Sequence, residues 1–284
     1  MRSTRTLLNL TLVLCALIAF APFAWMILSS LKPQSEIFAW PPRLLPTHLT
    51  GEHYRYALEA TGFPRYFLNS LIVTSMVVAG NLLVAVPAGY AFARLPLPGR
   101  DTLFMFVLGT MMIPGGITVI PLFLIAKNFP LVGGNDILGS GGIGLLNTYP
   151  GLALPHLVLA FAIFLSRQYF QGLPGELADA ARIDGASEGA IFWRVYLPLA
   201  LPLTGTVGIF SFVNGWDDFL WPLIVTTGDE MRTVQIGLSA FQSQGSTNWG
   251  PLLAAAVLVT IPIVVVFLAN QRHFISGLTT GSSK

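Results

Sequence analysis

Charge is scarce in this chain. Only 10% of its 284 residues are Asp, Glu, Lys or Arg, against about 25% in ordinary soluble domains. The basic residues are spread along the length, and the net charge is only +2. That excludes the basic stripe through which proteins hold nucleic acid. Cysteine is nearly absent as well: Cys15 stands alone, so neither an intrachain disulfide nor a cysteine metal cluster can form. No lysine follows a glycine, because Lys32, Lys127 and Lys284 follow Leu31, Ala126 and Ser283. A GxxxxGK[ST] phosphate loop is therefore missing, and with it ATP hydrolysis by that route. His48, His53, His156 and His273 show neither HExxH nor any clustered ligand spacing. Nothing in the spacing supports a serine–histidine–acid enzyme.

What the chain has in abundance is apolar sequence. Hydrophobic residues make up 54% of it and the mean hydropathy is +0.69, with the apolar residues gathered in long blocks. Six stretches, near 7–31, 67–93, 102–126, 150–170, 199–226 and 251–270, have the length of about 20 residues that a helix needs to cross a bilayer. The expected fold is an all-α integral membrane protein with six transmembrane helices. The first stretch has features of a signal peptide: Arg2 and Arg5 precede a Leu-rich core and "AFAPFA" offers small residues. Apolar character continues through "WMILSSL" to Leu31, however, so an uncleaved span is expected. With a cytoplasmic N-terminus, nine basic residues fall inside: Arg2, Arg5, Arg94, Arg100, Arg167, Arg182, Arg194, Arg272 and Lys284. Six fall outside on longer loops: Lys32, Arg43, Arg55, Arg65, Lys127 and Arg232. That density contrast follows the positive-inside tendency.

One stretch breaks the apolar pattern. "GLPGELADAARIDGASEGAIFWRVYLP", residues 172–198, carries four acids and two arginines and lies on the cytoplasmic side in this orientation. Its spacing predicts two short helices hinged at a glycine. Leu177, Ala180 and Ala181 share one face, and Glu176, Asp179 and Arg182 share another. Pro174 and Gly175 open the helix, and Gly185 suits a left-handed end. Ser187 caps a second helix with Glu188 in its first turn and Ile191, Phe192, Val195 and Tyr196 as its apolar face. Two apolar stripes on helices too short to bury them predict docking onto a partner.

At these residues the chain resembles a known family. "DAARIDGASEGAIFWRVYLP" is similar to the cytoplasmic EAA loop of permease subunits from binding-protein-dependent ABC importers. The family pattern is carried by Asp179, Ala180 and Ala181, Gly185, Val195, and Leu197 with Pro198, Asp standing for Glu and Val for Ile. "FLNSLIVTSMVVAGNLLVAVPAGYAFAR", "NGWDDFLWPLIVTTGDEMRTVQIGL" and "NQRHFISGLTTGSSK" extend the likeness to nearly the whole of 1–284, as a single transmembrane domain. They resemble the carbohydrate-uptake branch, in particular its smaller maltose-type permease. The resemblance implies a non-catalytic subunit in a bacterial or archaeal cell membrane that translocates a sugar or related polyol. Its implied partners are a second permease, an ABC ATPase dimer and an extracytoplasmic solute-binding protein. ATP and Mg belong to the ATPase, and no cofactor is bound by this chain. The loop residues Glu176, Asp179, Ala180, Ala181, Asp184, Gly185, Ile191, Val195, Leu197 and Pro198 are the implied coupling elements, and the polar tail is implied to reach the ATPase.

A self-sufficient channel or secondary transporter is the alternative. Such proteins carry ionisable residues within their spans, and here only Asp217 and Asp218 come close. An acid at mid-bilayer costs about 2.5–3.5 kcal/mol, so both are expected at the outer mouth or in a wet cavity. That alternative also leaves the cytoplasmic helix pair unexplained. His156 reads as a hydrogen-bonded packing residue. "GSGGIG", residues 139–144, matches G-x-G-x-x-G but lies in an external loop with no preceding strand, so it does not read as a nucleotide site. For a sugar path the polar residues of the spans are the candidates: Asn69, Thr74, Ser75 and Asn81, with Tyr90 lower down, and Asn214, Trp216, Asp217 and Asp218. The competing reading makes the small polar residues interhelical fasteners and Trp216 and Trp221 interface anchors.

Overall fold

The computed structural model describes residues 2–59, 62–243 and 246–280, with the side chains of 2–5, 243, 246 and 273–280 excepted. The side chains of Arg2, Arg5 and His273, and the last four residues of the tail with Lys284, lie outside the described residues. Among those described, the one paired strand is a hairpin of Gln242–Ser243 against Ser246–Thr247, and the other regular elements are helical. Three helices are long and apolar enough to cross a membrane unbroken: Thr6–Ser30, Phe63–Arg94 and Trp249–Arg272. Three more candidates are bent pairs. Arg100–Met111 turns through 104° into Gly115–Lys127, Tyr149–His156 through 50° into Ala160–Gly172, and Glu188–Leu199 through 80° into Leu201–Trp216. Counting each pair as one span gives the expected six.

Proline accounts for the breaks. Pro114 lacks an N–H and disfavours helical backbone at Ile113, just before Gly115 restarts the chain. Pro155 lies in a 3-10 turn, Leu154–His156, ahead of the second break. Pro202 cannot bond the carbonyl four residues back, and Ala200 leaves helical geometry there. This last break corrects the expected span at 199–226. Its first limb begins inside the polar loop, its main helix ends at Trp216, and Leu220–Val225 stands as a separate helix.

The chain divides into two compact units, residues 1–64 with 236–262 and residues 65–235 with 263–284. In the first, residues Leu7 to Phe20 of the opening helix are exposed all round, as an apolar helix is when lipid or another subunit supplies its surroundings. Lys32 is fully buried there. Its Nζ donates to the Arg43 carbonyl at 2.7 Å and lies 4.3 Å from the centre of the Trp25 ring. The His53 ring bonds the Lys32 carbonyl at 2.9 Å.

The second unit holds two apolar clusters. One gathers Tyr90, Phe170, Phe192 and Tyr196 with Ile163, Ile191 and Leu203. The other gathers Val73, Val77, Leu145, Leu152, Trp221 and Val225. Phe63–Arg94 and Ala160–Gly172 touch closely at Gly89, where a Cβ would come within 2.3 Å of Ser166 Cβ, the small-residue contact by which membrane helices pack. The glycine-rich segment folds on itself: Asp136 Oδ1 accepts the Leu138 and Ser140 N–H groups, each at 2.8 Å. Among the described residues no strand precedes it.

Candidate functional site

The polar loop folds as a hinged pair. Its first helix is Glu176–Ile183, and Gly185 follows at φ +78°. Gly185 N donates to Arg182 O at 3.0 Å and Ala186 N to Ala181 O at 2.9 Å, which is a Schellman end with glycine at its left-handed position. Ser187 then caps the helix Glu188–Ile191, its hydroxyl accepting from Ala190 N at 3.3 Å. Arg182 ties the limbs together, donating to Asp179 Oδ1 at 2.8 Å and to Glu188 Oε1 and Oε2 at 2.7 and 3.3 Å. The Arg182 hydrogen bond holds the Glu188 carboxyl below its usual range. An exposed pair of this kind orients more than it stabilises.

The loop's apolar faces differ from the sequence expectation. Ile191, Phe192 and Tyr196 are buried in the chain's own aromatic cluster, so the second stripe is not a docking surface. The helix continues past Ile191 as a π segment, Phe192–Tyr196. Its wider turn brings Phe192 and Tyr196 within 5.0 and 5.4 Å of Tyr90. In the first helix Ala178 points inward and Ala181 is half-buried, while Leu177 and Ala180 face out. The large apolar groups left exposed are Leu177, Ile183 at 87% and Trp193 at 56%. Glu176, Asp179, Asp184, Gly185 and Pro198 are exposed around them, and Val195 and Leu197 are half-buried. A 3.6-residue period locates an apolar face but does not say whether the same chain covers it.

Arg94, which the sequence offered only as an inside charge, lies under this loop. Its Nε and Nη2 donate to the Phe170 carbonyl at 3.0 and 2.7 Å, and Nη2 also reaches the Leu173 carbonyl.

Several of the expected path residues make packing contacts in this conformation. Asn69 is fully buried, donating to the Glu230 and Arg232 carbonyls at 2.8 and 2.9 Å and accepting from Tyr149 OH at 2.9 Å. Asn81 is also fully buried. It donates to the Val77 and His156 carbonyls at 2.9 and 2.8 Å and accepts the Leu159 N–H at 2.8 Å. It thus satisfies groups that the break between His156 and Ala160 leaves free. Thr74 is buried with no side-chain partner among the described residues, and Ser75, though exposed, bonds Leu71 O at 2.7 Å. Trp216 stacks on Phe212 at 5.5 Å and meets Phe67 edge-on at 5.3 Å. Trp221 donates to the Gly151 carbonyl at 2.9 Å. Both tryptophans are buried, which removes the interface-anchor reading for them, and Tyr90 lies in the aromatic cluster instead of a path. Asp217 accepts from Gln235 at 3.2 Å. Asp218 meets His156 Nε2 at 2.8 Å, so this histidine is hydrogen-bonded in the packing as expected.

Asn214 is different. It lies on a cavity of about 700 Å³ with Thr110, Ile113, Pro155, Phe161 and Phe210, where two of the broken spans meet the helix Leu201–Trp216. The Phe161 and Phe210 rings stand edge to face at 5.1 Å. The Asn214 amide is exposed and makes no hydrogen bond among the described residues. No group of three His, Cys, Asp or Glu able to hold a metal occurs among the described residues.

Comparison with known proteins identifies relatives along nearly the full length. Residues 85–279 match the family described as binding-protein-dependent transport system inner membrane component. The chain is 37% identical to the arabinooligosaccharides transport system permease protein AraQ of Halalkalibacterium halodurans, over 98% of this chain and 96% of that one. It is 32% identical to the diacetylchitobiose uptake system permease protein NgcG of Streptomyces coelicolor, over 95% and 86%. It is 31% identical to the sn-glycerol-3-phosphate transport system permease protein UgpE of Yersinia pestis, over 95% and 94%. In fold it resembles a chain from the crystal structure of a bacterial ABC transporter involved in the import of the acidic polysaccharide alginate. That match has a TM-score of 0.79 at 24% identity, covering 96% of this chain and 97% of the other.

Proposed function

The chain belongs to the family of binding-protein-dependent transport system inner membrane components, and as the permease subunit of such an ABC importer it carries, we propose, a sugar or related polyol delivered by an extracytoplasmic binding protein. One observation supports this solute class above the others. Relatives aligned along nearly the whole chain are named for arabinooligosaccharides, diacetylchitobiose and sn-glycerol-3-phosphate, all of them polyhydroxyl compounds. The cavity at Asn214 adds the chemistry. Its amide offers a donor and an acceptor to neighbouring hydroxyls, while Phe161 and Phe210 offer apolar faces to the C–H side of a saccharide ring. A largely apolar wall with a few polar groups is usual for a small-molecule site, and transporters place such sites at discontinuous helices.

In this reading the whole chain is one transmembrane domain, paired with a second permease of different sequence and with two ATPase copies. ATP and Mg sit on the ATPase, and this chain binds no cofactor. The bias of basic residues supports cytoplasmic termini and a cytoplasmic polar loop. The ATPase is met by Glu176, Leu177, Asp179, Ala180, Ile183, Asp184, Gly185 and Trp193. The inward-facing Ala181, Ile191, Val195 and Leu197, with Pro198 at the break, pass the motion on. Closure of the ATPase around ATP then rocks the spans between inward- and outward-open states. The test is to purify the complex with its binding protein, identify the bound ligand by mass spectrometry, and measure uptake of that ligand into proteoliposomes with and without ATP. A bound saccharide or polyol whose uptake requires ATP is expected. A binding protein loaded with an amino acid or a metal ion would overturn the solute class, and ATP-independent uptake would overturn the motor.

A further inference from the structure

Arg94 is the last residue of the helix Val86–Arg94. Its guanidinium donates to the Phe170 carbonyl from Nε and Nη2 and reaches the Leu173 carbonyl from Nη2. Those carbonyls end the helix Ala160–Gly172 and begin the polar loop. The guanidinium also lies 5.3 Å from the centre of the Tyr196 ring, and Tyr196 OH donates to the Pro174 carbonyl at 3.1 Å. One side chain thus meets the cytoplasmic end of the fourth span, the start of the loop and the loop's returning limb. The helix pair is fastened in the opposite sense too: Arg167 Nε of the fourth span donates to the Phe92 carbonyl of the second at 3.3 Å.

A charge kept only to fix topology needs nothing but water, yet these donors turn inward. No acid lies within ion-pair range of Arg94 among the described residues, so its counter-charge is the carbonyl end of the neighbouring helix. The planar fork suits two carbonyls at once and stacking on a ring, which a lysine cannot reproduce. The Tyr90, Phe170, Phe192 and Tyr196 cluster packs beside it, and the tight contact at Gly89 limits slippage between the two helices.

We infer that Arg94 is the positioning residue that fastens the polar loop to the second span, so that displacement of the loop moves the membrane helices instead of bending the joint. This rests on the loop being the ATPase-coupling element proposed above. The test compares wild type, Arg94→Gln and Arg94→Lys in the full complex with its binding protein in proteoliposomes, reading solute imported per ATP hydrolysed. Arg94→Gln complexes are expected to assemble and hydrolyse ATP while importing about fivefold less solute per ATP, the lower end of a usual coupling energy. Arg94→Lys, which keeps the charge and loses the fork, should fall between. A merely structural arginine lowers hydrolysis and import together with the amount of assembled complex, leaving the ratio at its wild-type value, and that result overturns the inference. Should the wild-type complex itself show no ATP-driven import, the permease reading falls first, which separates the two failures.

Discussion

Replacing Gly185 by valine asks whether the turn between the loop helices matters to the motor. Gly185 occupies the left-handed region at φ +78°, and a Cβ built there meets nothing within 4 Å. No steric clash contributes, so the cost is that of the backbone: about 1–2 kcal/mol for an L-residue held in this conformation. A β-branched side chain suits the region least. A penalty of that size shifts the balance between the native turn and its alternatives about 5- to 30-fold. Asparagine tolerates the same backbone and supplies the control, since it adds bulk to the exposed surface without the strain. The assay is ATP-driven uptake per inserted complex, alongside retention of the ATPase on the purified permease. Gly185→Val should insert normally and lose most uptake, and Gly185→Asn should stay near wild type. Wild-type uptake in the valine variant would refute the hinge. Equal failure of both variants would move the defect from backbone to surface.

Three further outcomes are expected. In a Cys15→Ser background, single cysteines at Leu138 or Glu230 should react with an impermeant thiol reagent from outside and one at Ile183 should not; labelling of position 183 from outside would reverse the orientation. Asn214→Ala should weaken uptake or change which solutes are accepted by a several-fold to about tenfold factor, from the loss of one hydrogen bond of about 0.5–1.5 kcal/mol. Lost assembly with unchanged uptake per assembled complex would make Asn214 a packing residue instead. The Glu188 carboxyl is held low by Arg182, so its contribution is present above the ordinary glutamate value of about 4.3 and disappears only as pH falls through the lowered one. ATPase binding by the loop should therefore be flat across neutral pH, and a midpoint near neutrality that Glu188→Gln abolishes would contradict this.

The membrane character and the glycine turn at the end of the first loop helix were legible because each rests on local chemistry. Twenty apolar residues have few fates other than a span, and a glycine after a short helix has an evident use at its end. The side of the loop that stays exposed was not legible. Ile191 and Ile183 are the same residue type in the same loop, yet one is fully buried and the other 87% exposed. The difference arises because Tyr90, from distant sequence, and Phe170, just ahead of the loop, pack with Ile191 and its neighbours. Arg94 escaped notice for a related reason. Its partners are backbone carbonyls about eighty residues away, and carbonyls leave no mark in a sequence. The prolines at 114, 155 and 202 were visible, but the reading of uniform spans gave them no role.

Those breaks give several polar residues of the spans a role in satisfying the backbone. Every interruption of a membrane helix frees N–H and C=O groups that lipid cannot satisfy, so nearby side chains or neighbouring helices must do so. Asn81 does this at the break after His156 by accepting the Leu159 N–H and donating to the His156 carbonyl. Asp218 does so less directly, pairing with His156 and accepting the Trp221 N–H at 3.4 Å. A polar residue within a span is thus first a repair to the backbone. What distinguishes a solute contact is hydrogen-bonding capacity left over after the repairs are made. Asn214 has that surplus, on a cavity where two breaks meet, while Asn69 and Asn81 have spent theirs. Asn214 makes no hydrogen bond among the described residues, and because an unpaired amide facing lipid costs several kcal/mol, its place on the cavity is what the Asn214→Ala comparison tests.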